Sequence, residues 1–377
     1  MHRPAVVTLI FLLALAAPAL AQEQSDEPPV VSPDDAPQSD LPKRFGIAPY
    51  PILMYSPETS LGFGAGVVFT HRPRDGEPDD RPNSLNTLLI YTLKNQIVVN
   101  FMPDVYFNDQ QGELNIVANY LQMPTGFYGV GNPADLTPDE AEDRYEAFDE
   151  RSWNIQPWLA HKVWRELRLG LTYDLKQAAF SDLADGRRLD REAVIGHDGG
   201  LTSGFGPMID WDSRDNAFYP SRGGWHKLYA RFHHAVFGSR YDFELYALDL
   251  RQYVTLIGEH ILAMQILGAT TTGEVPYYHL PKPQLRGFHM DLFLDRIMAA
   301  GQIEYRFPIY WRFSGAAFFG AGESVATMND FTADNIYYAG GAGVRFAINP
   351  DERINVRLDV GVSPYGVAPY LNITEAF

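Results

Sequence analysis

Residues 276–291 read PYYHLPKPQLRGFHMD, and the segments on both sides alternate apolar with polar residues as β-strands do. Pro276, Pro281 and Pro283 punctuate the stretch, which closes on Leu285-Arg286-Gly287-Phe288. It is too long and in places too apolar for an ordinary solvent turn, and loops of this length inside a domain are usually functional. A lone arginine stands beside a glycine that lets the backbone turn sharply, with an aromatic next. That combination describes a tip built to be buried in polar surroundings.

Working outward, the alternation continues on both sides. In 295–307, Ile297, Ala299, Ile303, Tyr305 and Phe307 alternate with Arg296, Gln302, Glu304 and Arg306. In 353–362, Ile354, Val356, Leu358 and Val360 alternate with Asn355, Arg357 and Asp359. Segments 313–322, 336–347 and 367–377 complete the C-terminal side. Upstream, strands are expected at 47–55, 61–71, 85–94, 97–107, 113–121, 152–160, 166–174, 200–211, 224–236, 241–256 and 260–271. The tally is about 16 strands of about 10 residues each, an even number and a length that suit tilted strands crossing a bilayer. Short turns at Val163-Trp164, Ile257-Gly258 and Ile309-Tyr310 alternate with outer connections that include 122–151, 176–199, 275–294 and 323–335. Short turns on one side and long loops on the other make the barrel pattern. The connection 72–83 departs from it, being long on the short side.

Composition points the same way. Aromatic residues make up 13% and there are 32 glycines, yet helical stripes are almost absent. A two-sheet sandwich would leave so many strands with unprotected edges, whereas closure pairs every backbone group in lipid. The fold class is therefore all-β, a 16-stranded antiparallel transmembrane β-barrel. Tyr120, Trp153, Trp158, Trp211, Trp225 and Trp311 are expected to form the interfacial aromatic girdles.

The N-terminus reads as an export signal. His2-Arg3 precede an apolar run at 5–17, and Ala19-Leu20-Ala21 supplies a cleavage pattern, so 1–21 is a signal peptide. Residue 22 is glutamine, not the cysteine of a lipoprotein anchor. Residues 22–44, acidic and rich in proline and serine, are expected to be a disordered linker before a barrel at 45–377. The chain has no cysteine, so no disulfide frames it. Its net charge of −17 argues against nucleic acid as a partner.

Leu285-Arg286-Gly287-Phe288 resembles the arginine-glycine-aromatic tip of the sixth outer loop in the BamA/TamA outer-membrane barrel superfamily, the bacterial surface antigen family. Residues 206–223, GPMIDWDSRDNAFYPSRG, resemble that family's strand-to-turn signature, an aspartate–arginine pair before a Tyr-Pro-x-x-Gly turn. EYRFP (304–308), YAGGAGVRF (338–346), VRLDV (356–360) and the final Phe377 extend the likeness, which covers roughly 45–377. The resemblance implies a loop folded back into the lumen and a role in inserting or translocating proteins or lipids at the outer membrane. It also implies lipid and lipopolysaccharide as surroundings, and barrel assembly machinery for the chain's own insertion. Members of this family carry periplasmic POTRA domains. Residues 22–44 are too few to form one, so a separate periplasmic partner is expected.

Under that resemblance Arg286, with Gly287 and Phe288, is the lumen anchor. Strand parity turns Glu304, Arg357 and Asp359 inward, so Glu304 and Asp359 are its expected acid partners. The family usually has a further aspartate where this chain has Gly320; Glu323 would compensate only if its strand bulged. Asp212, Arg214 and Asp215 are expected to order the turn whose geometry Tyr219, Pro220 and Gly223 set. Asp210, Asp212 and Asp215 are spaced too loosely for a calcium loop. Leu371, Ile373 and Phe377 share the lipid-facing parity and resemble a C-terminal assembly signal.

No nucleophile elbow and no zinc-protease motif is present. His233 and His234 face opposite sides of one strand, so the two cannot serve a single metal or base. No catalytic residue, cofactor or metal is expected. Two other readings stay open: a passive pore or receptor, and a lipid-modifying enzyme built on His197 with Ser203 or Thr202.

Overall fold

Alternation of apolar and polar side chains becomes sixteen antiparallel strands in one sheet, each bonded to its neighbours in sequence. The computed structural model describes residues 44–56, 60–73, 80–131, 138–181, 189, 194–288 and 291–377. The expected signal peptide and residues 22–43 of the expected linker lie outside them. The first eight strands are β1 (Phe45–Ser56), β2 (Ser60–His71), β3 (Asn83–Thr92), β4 (Ile97–Phe107), β5 (Gly112–Phe127), β6 (Glu146–Trp164), β7 (Leu167–Ser181) and β8 (Gly200–Asp212). The second eight are β9 (Gly223–His233), β10 (Phe243–Ile257), β11 (His260–Gly273), β12 (Ile297–Tyr310), β13 (Phe313–Val325), β14 (Tyr337–Asn349), β15 (Ile354–Ser363) and β16 (Gly366–Ile373). Among the described residues no helix is long and apolar enough to cross a membrane; the crossing is made by strands.

Each strand presents two unlike faces. On β12, Ile303 exposes 50% of its surface while Glu304 exposes none, because the first lies on the outer wall and the second on the inner. Leu89, Phe101, Leu171, Leu228, Ile266 and Phe319 are exposed apolar residues of the same outer kind. A surface so apolar is stable only against lipid.

Two features differ from the sequence expectation, the connection 122–151 and the place of two tryptophans. The connection 122–151 is shorter than expected, because β5 and β6 stay paired out to Phe127↔Glu146. Phe127 and Phe148 in that extension pack on the inserted loop, which gives it a core to form against. A short helix, α1 (Pro138–Arg144), lies between the two strands. In the connection before β3, Arg72 pairs with Glu352 at 2.9 Å and Arg81 pairs with Asp212. Two of the expected girdle residues lie inside the barrel. Trp158 and Trp225 hold the Lys227 ammonium 3.8 and 4.1 Å from their ring centroids, and the Trp225 indole N–H donates to Asp210 at 2.8 Å. A polar partner was available inside for these rings, and parity placed them there.

The wall is nearly closed. Among the described residues no ladder joins β1 to β16. Ala48 and Tyr50 on the inner face of β1 instead pack in one cluster with Ile354, Ile348, Val356 and Ile373. Ile348, Val356 and Ile373 have the outward parity of their strands, so the periplasmic ends of β14–β16 tuck behind β1 and overlap it. Pro49 and Pro51 sit in β1 and Pro369 in β16. Prolines two apart remove donors from the same strand edge, and sheets tolerate that where the edge has no ladder partner.

Candidate functional site

The described part of the inserted loop, 276–288, enters the lumen between β11 and β12 and places Arg286 against the inner wall. Arg286 Nη1 lies 2.6 Å from Glu304 Oε2 on β12 and 2.7 Å from Asp359 Oδ2 on β15. Each acid is shared. Arg306 Nε reaches Glu304 Oε1 at 2.7 Å, and Arg345 spans from Glu304 (3.2 Å) to Asp359 (2.6 Å). Arg357 Nη1 meets Asp359 Oδ2 at 2.5 Å. Buried charges persist only when paired, and here guanidiniums and carboxylates interleave across three strands and a loop. Nε and Nη2 of Arg286 have no hydrogen-bond partner among the described residues, but its guanidinium carbon sits 3.5 Å from the centroid of the Phe318 ring.

Backbone geometry brings the tip close enough. Gly287 has φ +112°, which favours glycine, and a Cβ there would lie 2.9 Å from the Cβ of Ala339. Its N–H donates to the Tyr370 hydroxyl at 2.8 Å, and its carbonyl accepts from Ser363 Oγ at 2.7 Å. On the wall, a Cβ at Gly361 would stand 2.6 Å from the Gly287 nitrogen. The tip therefore rests on β15 and β16, the last strands before the seam. Phe288 fills a ring cluster with Phe293, Tyr337 and Tyr365. Leu285 occupies the space over Gly320, whose Cβ would meet it at 2.8 Å. An aspartate at 320 would need that room, so the missing carboxylate of the family pattern is accompanied by an apolar contact.

The outer part of the loop docks on the opposite wall. Tyr277 and Tyr278 are buried with Phe127, Phe148 and Phe243, and burial raises both phenolic pKa values. His279 Nε2 lies 2.8 Å from Thr202 Oγ1 on β8, and its Nδ1 faces Asp174 Oδ2 at 3.9 Å. His233 Nε2 reaches the same oxygen at 3.0 Å. Burial holds the His279 imidazole down at about 3, so it is neutral.

The turn after β8 carries the other sequence signature. Arg214 clasps Asp212 with Nε to Oδ1 at 2.9 Å and Nη2 to Oδ2 at 2.6 Å. Asp215 accepts from the Ser221 and Arg222 N–H groups at 2.8 and 3.1 Å. Those bonds, with the Ser221 hydroxyl, hold its carboxyl below the usual range although burial pulls the other way. Gly223 takes φ +88°, and a Cβ there would collide with the Ser213 carbonyl oxygen. Tyr219 underlies Arg306, its ring centroid 5.4 Å from the guanidinium carbon, and the Pro220 carbonyl accepts from Arg306 at 3.3 Å.

Several residues sit elsewhere than the sequence suggests. Residues 374–377 do not continue the last strand. β16 stops at Ile373, Thr374 takes φ +60°, and the tail turns into the lumen. Glu375 meets Arg345 at 3.2 Å and Arg306 at 3.7 Å, and Phe377, 4% exposed, packs on Tyr253 and Ala263. Two buried guanidiniums need that carboxylate, which explains why Phe377 lies inside and not on the lipid face. A cavity of about 200 Å³ remains beside it, bordered by Asp104, Arg214 and Arg251. Leu371 and Ile373 keep the outward parity, paired with Leu358 and Val356. Glu323 accepts from the Thr332 N–H at 3.1 Å and is not among the partners of Arg286. Ser203 faces outward and shares a 2.7 Å hydrogen bond with Tyr173, whereas His197 bonds to the Val194 carbonyl, so the two do not form a dyad. Arg306, Arg345 and Glu375 are members of the network that sequence reasoning misses; parity alone could have placed the two arginines inside.

A model of the Omp85 superfamily domain matches residues 91–362. Among solved structures, the fold is similar to BamA from Haemophilus ducreyi lacking POTRA domains 1–3, at 14% identity and TM-score 0.52, over 88% of this chain and 69% of that one. It is also similar to CdiB from Acinetobacter baumannii, at 12% identity and TM-score 0.52, over 88% of this chain and 60% of that one. The chain thus spans less than two thirds of the CdiB chain. At these identities the likeness is one of fold. A search of curated proteins found no match.

Proposed function

The chain belongs to the Omp85 superfamily, and from that premise we propose that it aids insertion or translocation of proteins or lipids at the bacterial outer membrane. The observation that carries this reading is the seam: among the described residues β1 and β16 share no ladder, and the inserted loop is bonded to β15 and β16 beside it. A wall held by overlap and side-chain packing opens at far lower cost than one closed by a continuous ladder of backbone hydrogen bonds. Arg286 anchors the loop while the seam moves, and Leu371, Ile373 and Phe377 serve the chain's own assembly. In this reading 1–21 is the export leader, 22–44 a linker, and a separate periplasmic protein delivers substrate. The work is mechanical, with no catalytic residue.

The test uses the absence of cysteine. Paired cysteines introduced in β1 and β16 and oxidised in cells lock the seam. The reading predicts the same change in outer-membrane protein and lipid composition as depletion of the protein, reversed by reductant. A locked seam with unchanged membrane composition would contradict it.

A further inference from the structure

At the outer rim, the loop and the barrel wall bring together a donor set that the insertion reading does not use. Asp174 on β7, His233 on β9 and His279 on the loop each offer one ligand atom, all within 4.8 Å of one another. Asp174 Oδ1 is occupied by the Gln156 amide at 2.6 Å, which leaves Oδ2 facing both imidazoles.

Hydrogen bonds around the set assign its lone pairs. The Thr202 hydroxyl donates to the Lys176 carbonyl at 3.3 Å, so its oxygen accepts the proton of His279 Nε2 at 2.8 Å. His279 Nδ1 is then a bare acceptor aimed at a carboxylate oxygen. His233 is fully buried and turns Nε2 to the same oxygen at 3.0 Å, while its Nδ1 has no partner among the described residues, so the proton that Nε2 would yield to a cation has room on Nδ1. The bare Nδ1 of His279 turned toward a carboxylate oxygen calls for a positive centre between the two.

We propose that Asp174, His233 and His279 form a binding site for a divalent transition cation, with Zn²⁺ the best match, which fastens the outer part of the inserted loop to the wall opposite Arg286. Two imidazoles and one carboxylate are a common zinc donor set, with water in the fourth position. Bonds of about 2.0–2.2 Å would draw the ligand atoms closer than they now lie. His279 can supply that movement, being on a loop and not on a strand. Thr202 holds the remote nitrogen of His279, as the outer hydrogen-bond partners of zinc-bound histidines do. Arg231, 3.9 Å from Asp174 Oδ1, works against a cation. It is partly engaged by Thr172 at 3.1 Å, and its charge sits on the side of the carboxylate away from the imidazoles.

The experiment takes the full chain without a histidine tag, folded in detergent, stripped with chelator and dialysed against Zn²⁺ alone. Metal content is read by mass spectrometry, and folding by the heat-dependent gel shift of barrels. One tightly bound Zn²⁺ per chain is expected, with affinity at least 100-fold weaker in His279→Ala and Asp174→Asn. Thr202→Val leaves all three donors in place and should weaken binding by about 10- to 100-fold; it reads the same point should either first variant fail to fold. Zn²⁺ should also slow proteolysis within 276–291 in the wild-type chain and not in His279→Ala. Equal zinc content in the wild-type chain and in folded Thr202→Val and His279→Ala overturns the proposal.

Discussion

Arg286 Nη1 lies 2.6 Å from Glu304 Oε2, so a loop that leaves the barrel at its outer rim is tied by charge to the inner wall. Arg306 and Arg345 also reach Glu304, which means the acid keeps partners when the loop is gone, whereas Arg286 leaves its acids behind. Arg286→Ala should therefore release the loop without unfolding the wall. Breaking a buried pair costs about 3–5 kcal/mol, and the shared acids put this case toward the lower end. Limited proteolysis within 276–291 should speed up while the folded gel mobility persists. Arg286→Lys should behave nearly as badly, since an ammonium lacks the planar guanidinium that stacks on Phe318.

Close approach gives a second prediction. Gly361→Ala places a methyl 2.6 Å from the Gly287 nitrogen, and Gly287→Ala combines φ +112° with a 2.9 Å contact to Ala339. Either should weaken loop docking by about 1–3 kcal/mol. Proteolysis of the loop reads it; a rate equal to wild type would contradict the contact.

The tail supplies a third. Glu375→Gln removes the carboxylate that Arg306 and Arg345 share, and Phe377→Ala empties the contact with Tyr253 and Ala263. Each should lower the temperature of the barrel's gel-shift transition, with Phe377→Ala costing up to about 3–5 kcal/mol. No change in either variant would mean the tail does not lie in the lumen.

A fourth concerns acid. Asp215 has its pKa lowered in the folded turn, so unfolding takes up protons and the contribution to stability is present above the unfolded carboxyl pKa, about 3.9. It is lost as pH falls through the lower folded value. Proteolytic nicking of the turn at 213–223 should rise below pH of about 4 in the wild-type chain. In Asp215→Asn the turn should be nicked faster at neutral pH and show a flatter acid response.

Much of the fold is legible in the sequence because period-2 alternation is a local signal: a strand with one lipid face and one lumen face records both in its own residues. Parity likewise turns Glu304, Arg357 and Asp359 inward from the sequence alone. What alternation cannot carry is contact between distant segments. Asp174, His233 and His279 come from two strands and a loop, and nothing in their spacing predicts that they meet. The tail at 374–377 continues the alternation of β16, yet a positive φ at Thr374 and the needs of two buried arginines turn it inward. Trp158 and Trp225 mislead for a related reason: girdles and lumen platforms use the same ring, and only the polar partner tells them apart.

The most direct test of the anchored loop is a crosslink in this cysteine-free chain. Leu285 Cδ2 lies 2.8 Å from where Gly320 would carry a Cβ. With Leu285→Cys and Gly320→Cys together, oxidation in intact outer membranes should join the two in nearly every folded barrel, without altering its gel mobility shift. Folded barrels in which both cysteines stay free and react with a membrane-impermeant thiol reagent from outside would place the loop out of the lumen and contradict the account.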